Sequence, residues 1–121
     1  MSARRPSAEV TESGLKSSAP IFAALGDETR LQLVSRLCTD GPMSIARLTD
    51  GAGVTRQAIT KHLHVLAEAG VVRSLRHGRE SIWELEPGPL EEARRCLDRI
   101  SQQWDASLGR LKALVEGPED S

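Results

Sequence analysis

Apolar residues recur along this chain with two different periods, and the change of period divides it. From Ala19 to Leu25 the pattern predicts a short helix with Ile21, Phe22 and Leu25 apolar. Pro20 then sits in its first turn, where a missing N–H costs little. Gly26 ends this helix, and Asp27 offers a carboxylate to cap the next. Leu31, Val34, Leu37 and Cys38 make a core-facing stripe that stops before Asp40-Gly41-Pro42. Ser44 caps a third helix carrying Ile45, Leu48 and Ala52. After the turn Gly51-Ala52-Gly53, Thr55 caps a fourth, in which Ala58, Ile59, Leu63 and Leu66 share one face up to Ala69-Gly70.

Beyond Gly70 the period shortens to two. Val71 to Arg76 is partly alternating, Ser81 to Leu85 alternates, and His77-Gly78 lies between them. The two runs predict a β-hairpin with glycine in its turn. Ile82 and Glu84 share one face, whereas alternation alone does not sort Trp83 and Leu85. Pro89 opens a long helix over 89–116. Its Leu90, Ala93, Leu97, Ile100, Trp104, Leu108, Leu111 and Val115 recur at intervals of three and four, close to a heptad seam. Glu92, Arg95, Asp98, Arg99, Gln102 and Asp105 occupy the other side. Residues 1–18 have little apolar periodicity and are expected to be a disordered tail, and 117–121 are expected to be a tail after the helix. The expected fold of 19–116 is mainly α with a small β-hairpin.

A short helix, a tight glycine turn and a second amphipathic helix make a helix-turn-helix. On the fourth helix Arg56, Gln57, Thr60 and Lys61 lie off the apolar face. Such side chains suit the major groove: Arg and Lys donate to guanine or phosphate, Gln pairs with adenine, and a Thr methyl meets thymine. A hairpin directly after that helix reads as a wing, and its tip carries Arg76, His77, Arg79 and Glu80. Arginine suits a narrow minor groove. The plainer alternatives are an amphipathic surface helix and a hairpin whose charges only keep it in solution.

Composition changes this picture in a few places. At 121 residues the chain allows one domain with tails. Aromatic residues are 2% of it and Tyr is absent, so the core must be aliphatic. The net charge of −1 argues weakly against a nucleic-acid partner. Its distribution argues for one: Val54 to Glu80 holds Arg56, Lys61, Arg73, Arg76 and Arg79 against only Glu68 and Glu80. No apolar run is long enough to span a bilayer, and Arg4 and Arg5 are followed by no apolar stretch, so a cytoplasmic protein without membrane attachment is expected. Cys38 and Cys96 lie far apart, which suggests free thiols in a reducing compartment, most simply buried and inert. There is no phosphate loop, nucleophile elbow or His–carboxylate cluster, so an enzyme is not expected.

The chain resembles the arsenic-repressor (ArsR/SmtB) family of winged-helix transcriptional regulators. The residues that carry the resemblance are Leu25-Gly26-Asp27-Glu28-Thr29-Arg30-Leu31, the helix from Thr55 to Leu66, Ala69-Gly70-Val71-Val72, and Arg76-His77-Gly78-Arg79-Glu80. It covers Ile21 to about Leu114. The resemblance implies a homodimeric repressor on double-stranded DNA, with a palindromic operator to match the two-fold protein. Candidate DNA contacts are Thr55, Arg56, Gln57, Thr60, Lys61 and His62 of the helix and Arg76, His77 and Arg79 of the wing. The first and last helices are implied to form the dimer, through Ile21 and Phe22 and through Leu97, Ile100, Trp104, Leu108 and Leu111. The seam itself leaves a second possibility, that the last helix folds back along its own domain.

Metal-sensing members carry paired Cys in the third helix, where Ser44 and Ala46 stand here. A second family site needs His on the last helix, and no His follows His77. His62 and His64 are two apart on a helix and point to different sides. No metal or other cofactor is therefore expected, and the resemblance is to metal-independent members. Two alternatives stay open: a thiol- or persulfide-responsive repressor using Cys38 and Cys96, and a winged domain that binds protein. No residue pattern specifies an inducer.

Overall fold

A small polar side chain stands at the start of each of the first four helices and takes over an amide that the helix leaves unpaired. The Thr11 hydroxyl accepts from the Gly14 N–H at 3.0 Å, and the Asp27 carboxylate from Arg30 at 3.0 Å. The Ser44 hydroxyl accepts from Arg47 at 3.3 Å, and Thr55 from Ala58 at 3.1 Å. In this computed structural model, which describes residues 11–117, the elements run α1 (Glu12–Leu25), α2 (Glu28–Asp40), β1 (Met43–Ser44), α3 (Ile45–Thr49), α4 (Arg56–Glu68), β2 (Val72–His77), β3 (Glu80–Leu85) and α5 (Pro87–Glu116). The caps at Asp27, Ser44 and Thr55 are those the sequence predicts.

Apart from Trp83 the buried core is aliphatic. Leu48, Ile59, Leu63, Leu66 and Val71 have no exposed surface, and Ile21, Leu33, Leu37, Met43, Val72, Trp83 and Ala93 surround them. Helix α4 lies at its centre, packed against α1, α2, α3 and β2. It ends in a Schellman motif. Gly70, at φ 80°, donates to the Ala67 carbonyl at 2.9 Å, and Val71 donates to Leu66 at 2.9 Å. A side chain at Gly70 would also stand 3.4 Å from Pro89 Cγ, so the turn and the approach of α5 both ask for glycine.

The hairpin forms as expected, with Gly78 at φ 65° in its turn. It belongs to a three-stranded antiparallel sheet in the order β1-β3-β2. Two-residue β1 is too short to leave a periodic signal, and it pairs Met43 with Trp83 and Ser44 with Ile82. The register sorts what alternation left open. Val72 pairs with Leu85 and Ser74 with Trp83 on the core face, while Arg73 pairs with Glu84 and Leu75 with Ile82 on the other.

Several boundaries and faces differ from the sequence reading. Helix α1 starts at Glu12, so residues 12–18 of the expected tail are helical and Pro20 lies inside the helix, not in its first turn. Residues 1–10 and 118–121 of the expected tails lie outside the described residues. What extends α1 is packing along α5: its buried positions are Ser18, Ile21 and Ala24, and the polar Ser18 hides the period. In α2 the buried pair is Leu33 and Leu37. Leu31 is 52% exposed and Cys38 is exposed, so of the expected stripe only buried Leu37 and half-buried Val34 face the core, and Cys38 is not a buried thiol. Helix α5 opens at Pro87, because both prolines fall in a first turn that needs no N–H from them.

The seam on α5 divides. Ala93 is buried and Leu90 half-buried against the domain, with Cys96 buried beside them, whereas Leu97, Ile100, Trp104, Leu108 and Leu111 are exposed. Ile21, expected at an intersubunit contact, is 3% exposed and is occupied by the protomer's own core; Phe22 packs half-buried against that core. Among the described residues no helix is long and apolar enough to cross a membrane.

Leu63→Ala should lower the unfolding free energy by about 2–5 kcal/mol, because it empties a fully enclosed site. Leu75→Ala, on the exposed face of the sheet, should change it by less than about 0.5 kcal/mol. Urea titrations of the two variants check this, and equal losses would show that α4 does not carry the core.

Candidate nucleic-acid interface

The outward side of α4 follows from its inward side. With Ile59, Leu63 and Leu66 fixed at zero exposure, the helical period turns Arg56, Gln57 and Lys61 outward, and all three are exposed. Thr55 is exposed as well, and its hydroxyl is committed as an acceptor to the N-cap, which leaves its proton to donate. Thr60 is half-buried and its hydroxyl donates to the Arg56 carbonyl at 3.0 Å, so only its methyl remains for a base.

The wing brings its own cations beside this helix. Arg76, His77 and Arg79 are exposed, and Arg79 lines one cleft of about 200 Å³ together with Arg56, Ser44, Ile45, Ala46, Ser81 and one acid, Glu80. The wing tip and the start of α4, far apart in sequence, thus share one concavity. Arg56, Lys61, Arg76 and Arg79 make no ion pair among the described residues. Arg73 differs. Its Nε lies 2.7 Å from Glu84 and 3.5 Å from Glu86, so its charge is spent within the hairpin and drops out of the basic face. Arg56, Lys61, Arg76 and Arg79 thus remain exposed cations on α4 and the wing.

His62 does not join this face. Its ring is turned inward, with 24% of the side chain exposed, and Nδ1 lies 3.2 Å from Arg30 Nη1. A guanidinium can only donate, so in a neutral ring Nδ1 is the acceptor of this contact. Asp27 Oδ2, at 3.9 Å from the same nitrogen, is too far for a hydrogen bond. Arg30 also donates through Nε to the Ala24 carbonyl. The group ties the end of α1, the cap of α2 and the middle of α4 together. Expecting a DNA contact at His62 assumed an outward ring; the partners across the domain pull it in.

Sequence reasoning missed a second tie. Arg36 Nη1 donates to the Leu48 carbonyl at 2.8 Å and to Asp50 at 3.4 Å, and its Nη2 donates to Arg47 at 3.0 Å. These are carbonyls that the end of α3 leaves unpaired. One side chain of α2 therefore fixes α3 and the turn that leads into α4. An arginine between Leu33 and Leu37 gives no signal for this in one dimension.

Among the described residues no three His, Cys, Asp or Glu side chains are grouped so as to hold a metal ion. Cys38 is exposed on α2 and Cys96 buried on α5.

A capped helix on an aliphatic core, preceded by α3 across a glycine turn and followed by a basic wing, defines a winged helix-turn-helix domain. Comparison with known proteins narrows the class. A family model described as a helix-turn-helix domain matches residues 25–74. The HTH-type transcriptional regulator Rv2034 of Mycobacterium tuberculosis is 32% identical over 99 residues, which cover 82% of this chain and 89% of that protein. An arsenical resistance operon repressor of Bacillus subtilis is 30% identical over 88 residues, covering 69% of this chain and 84% of that one. Among solved structures, an ArsR-like transcriptional regulator from Rhodococcus sp. RHA1 superposes with a TM-score of 0.69 at 35% identity, over 84% of this chain and 95% of its own. The chain belongs to the ArsR family of winged helix-turn-helix transcriptional regulators.

The Asp27 group gives a pH-dependent contribution to stability. The Arg30 backbone N–H, and then the Arg30 guanidinium and His62, hold the Asp27 carboxyl below the usual carboxylate range against the opposing effect of partial burial. A carboxyl depressed in the folded state stabilises above its unfolded value, about 3.9, and that contribution fades as pH falls through the lower folded value. Asp27→Asn keeps a capping side chain but removes the titration. Its stability should fall less steeply than wild type below about pH 4, as thermal melts across that range would show; parallel curves would mean that Asp27 is not coupled to folding.

Proposed function

We propose that the protein is a homodimeric, sequence-specific repressor that lays α4 of each protomer in the major groove of a palindromic operator. The observation that carries this reading is the pairing of Arg56 with Arg79 on one cleft, beside exposed Gln57 and Lys61 and with no ion pair to either arginine among the described residues. In this reading Arg56, Gln57 and the Thr60 methyl contact bases. Lys61, Thr55 and Arg76 hold phosphates, and Arg79 with His77 reaches the adjacent minor groove. Similarity to an arsenical resistance operon repressor supports repression as the outcome of binding. Ser44 and Ala46 offer neither thiolate nor imidazole at the third-helix positions, so the operator is released by something other than a metal bound there. Action on DNA in the cytoplasm completes the proposal.

The dimer follows from the seam. A protomer in water leaves Leu97, Trp104 and Leu111 more than half exposed along one side of α5. A second α5 with the same stripe would cover them isologously. Two recognition helices then face successive major grooves about 34 Å apart.

Selection of bound fragments from random DNA by the purified protein tests binding, symmetry and sequence together. Against the selected operator, Gln57→Ala should relax base preference and cost roughly 1–3 kcal/mol. Lys61→Ala should weaken all sequences alike and reduce the salt slope by about one. A Gln57→Ala protein that binds the operator as tightly as wild type would remove α4 from the groove.

Trp104 is 62% exposed, so its replacement should spare the fold. A Trp buries about 150–250 Å² and can dominate a small interface. Trp104→Ala should therefore give a folded protein with a weakened dimer and a steep loss of operator affinity, because a monomer keeps about half of the phosphate contacts. Sedimentation at several concentrations beside operator titration measures both. A variant that stays dimeric at nanomolar concentration would place the interface elsewhere.

A further inference from the structure

Between α1 and α5, away from the DNA-facing side, lies a cleft of about 210 Å³ lined by Gly14, Ser18, Glu92, Arg95, Cys96 and Arg99. The Ser18 hydroxyl is the informative group. Ser18 is 1% exposed, and its Oγ has no hydrogen-bond partner. A buried hydroxyl left unpaired is unfavourable, and such groups in folded proteins ordinarily find a partner, whether protein, water or ligand. Its neighbour Ser17 has one, since its hydroxyl donates across the helix pair to Glu92 Oε2.

Two guanidinium groups and one carboxylate line the cleft. Glu92 accepts from Ser17 and keeps its negative charge, and Arg95 lies 3.7 Å from Glu91. Arg99 is half-buried and makes no ion pair among the described residues. Arg95 and Arg99 are one turn apart on α5 and converge on the same space, whereas Glu92 is the one acid that lines it. A partly desolvated guanidinium without a counter-ion favours an oxyanion that can take two parallel N–H donors.

The cleft is also distinct from the exposed seam. Arg95 and Arg99 each stand two residues from Leu97, which puts them about 200° round the helix from it. A seam through Leu97, Trp104 and Leu108 therefore does not use this side of α5. The volume falls below the range of about 300–1,000 Å³ typical of drug-sized ligands, so the occupant has only a few heavy atoms.

We propose that the α1–α5 cleft is a binding site for a small oxyanion, a carboxylate or a phosphate, held by the Arg99 and Arg95 guanidinium groups with the Ser18 hydroxyl as a further donor. The site needs no DNA, so its test stands apart from the operator experiments.

The probes are acetate and inorganic phosphate, titrated at constant pH and ionic strength into the full-length ¹⁵N-labelled protein. Saturable amide shifts at Gly14, Ser18 and Cys96 are expected with at least one of them, and the anion that saturates identifies the chemistry. Arg99→Gln should weaken its apparent Kd by roughly tenfold or more, and Arg99→Lys should recover part of the loss. Ser18→Ala should weaken binding several-fold without lowering the Tm, since the hydroxyl it removes has no partner in the fold. Shifts that rise linearly with both anions, or that persist unchanged in Arg99→Gln, would overturn the proposal. So would a Ser18→Ala protein that binds as wild type does.

Discussion

The buried back of α4 is the constraint on which the rest of the molecule depends. Ile59, Leu63 and Leu66 are wholly enclosed, and a helix held at three points one turn apart has a single rotation about its axis. That rotation decides which side chains meet the solvent. It presents Arg56, Gln57 and Lys61 and turns His62 back into the domain. Polar ties then set the position of the helix as hydrophobic contact alone would not. The Asp27–Arg30–His62 group links it to the α1–α2 junction, and Arg36 holds the preceding α3 by its last carbonyls. The Schellman turn at Gly70 and Val71 hands the chain directly into β2, so the wing inherits its place from the end of the same helix.

Charge is organised by what is already paired. The chain carries a net charge of −1, yet Arg56, Lys61, Arg76 and Arg79 make no ion pair among the described residues while Arg73 and Arg94 are held by neighbouring acids. Glu84 and Glu86 sit at the base of the hairpin, away from its tip, and Glu91 and Asp98 lie on α5. Glu68 and Glu80 are the exposed acids of α4 and the wing tip, and Arg56, Lys61, Arg76 and Arg79 outnumber them, so the local field there is positive on a near-neutral protein. Such a field attracts phosphate over roughly a Debye length, about 8 Å at physiological salt, without making the whole surface sticky.

Helix α5 serves two ends of the structure. Its first turns pack on the domain through Leu90, Ala93 and Cys96, and from Leu97 onward its apolar side is exposed among the described residues. A continuous helix makes the two halves mechanically one, so anything that seats the outer half also orients the inner half against α1. The cleft with Ser18 and Arg99 opens along that same contact, on the side that the seam does not use.

The elements were legible in the sequence because each has a local cause. Caps at Asp27, Ser44 and Thr55, the glycine turns and the switch from a helical to an alternating period are short-range signals, and they placed the helix-turn-helix and the hairpin. The outward residues of α4 were legible too, since its apolar face is strict enough to imply its opposite. What escaped is what depends on distant neighbours. Ser18 is polar, so only packing on α5 shows that α1 begins at Glu12. Leu31 and Leu33 are equally apolar, and only the placement of α2 buries the second and exposes the first. The ring of His62, the three carbonyls under Arg36 and the loss of Arg73 from the basic face are each decided by a partner remote in sequence. Periodicity fixes which residues share a face; the tertiary structure alone decides which charges on that face are still free, because pairing is a contact between elements that one dimension does not bring together.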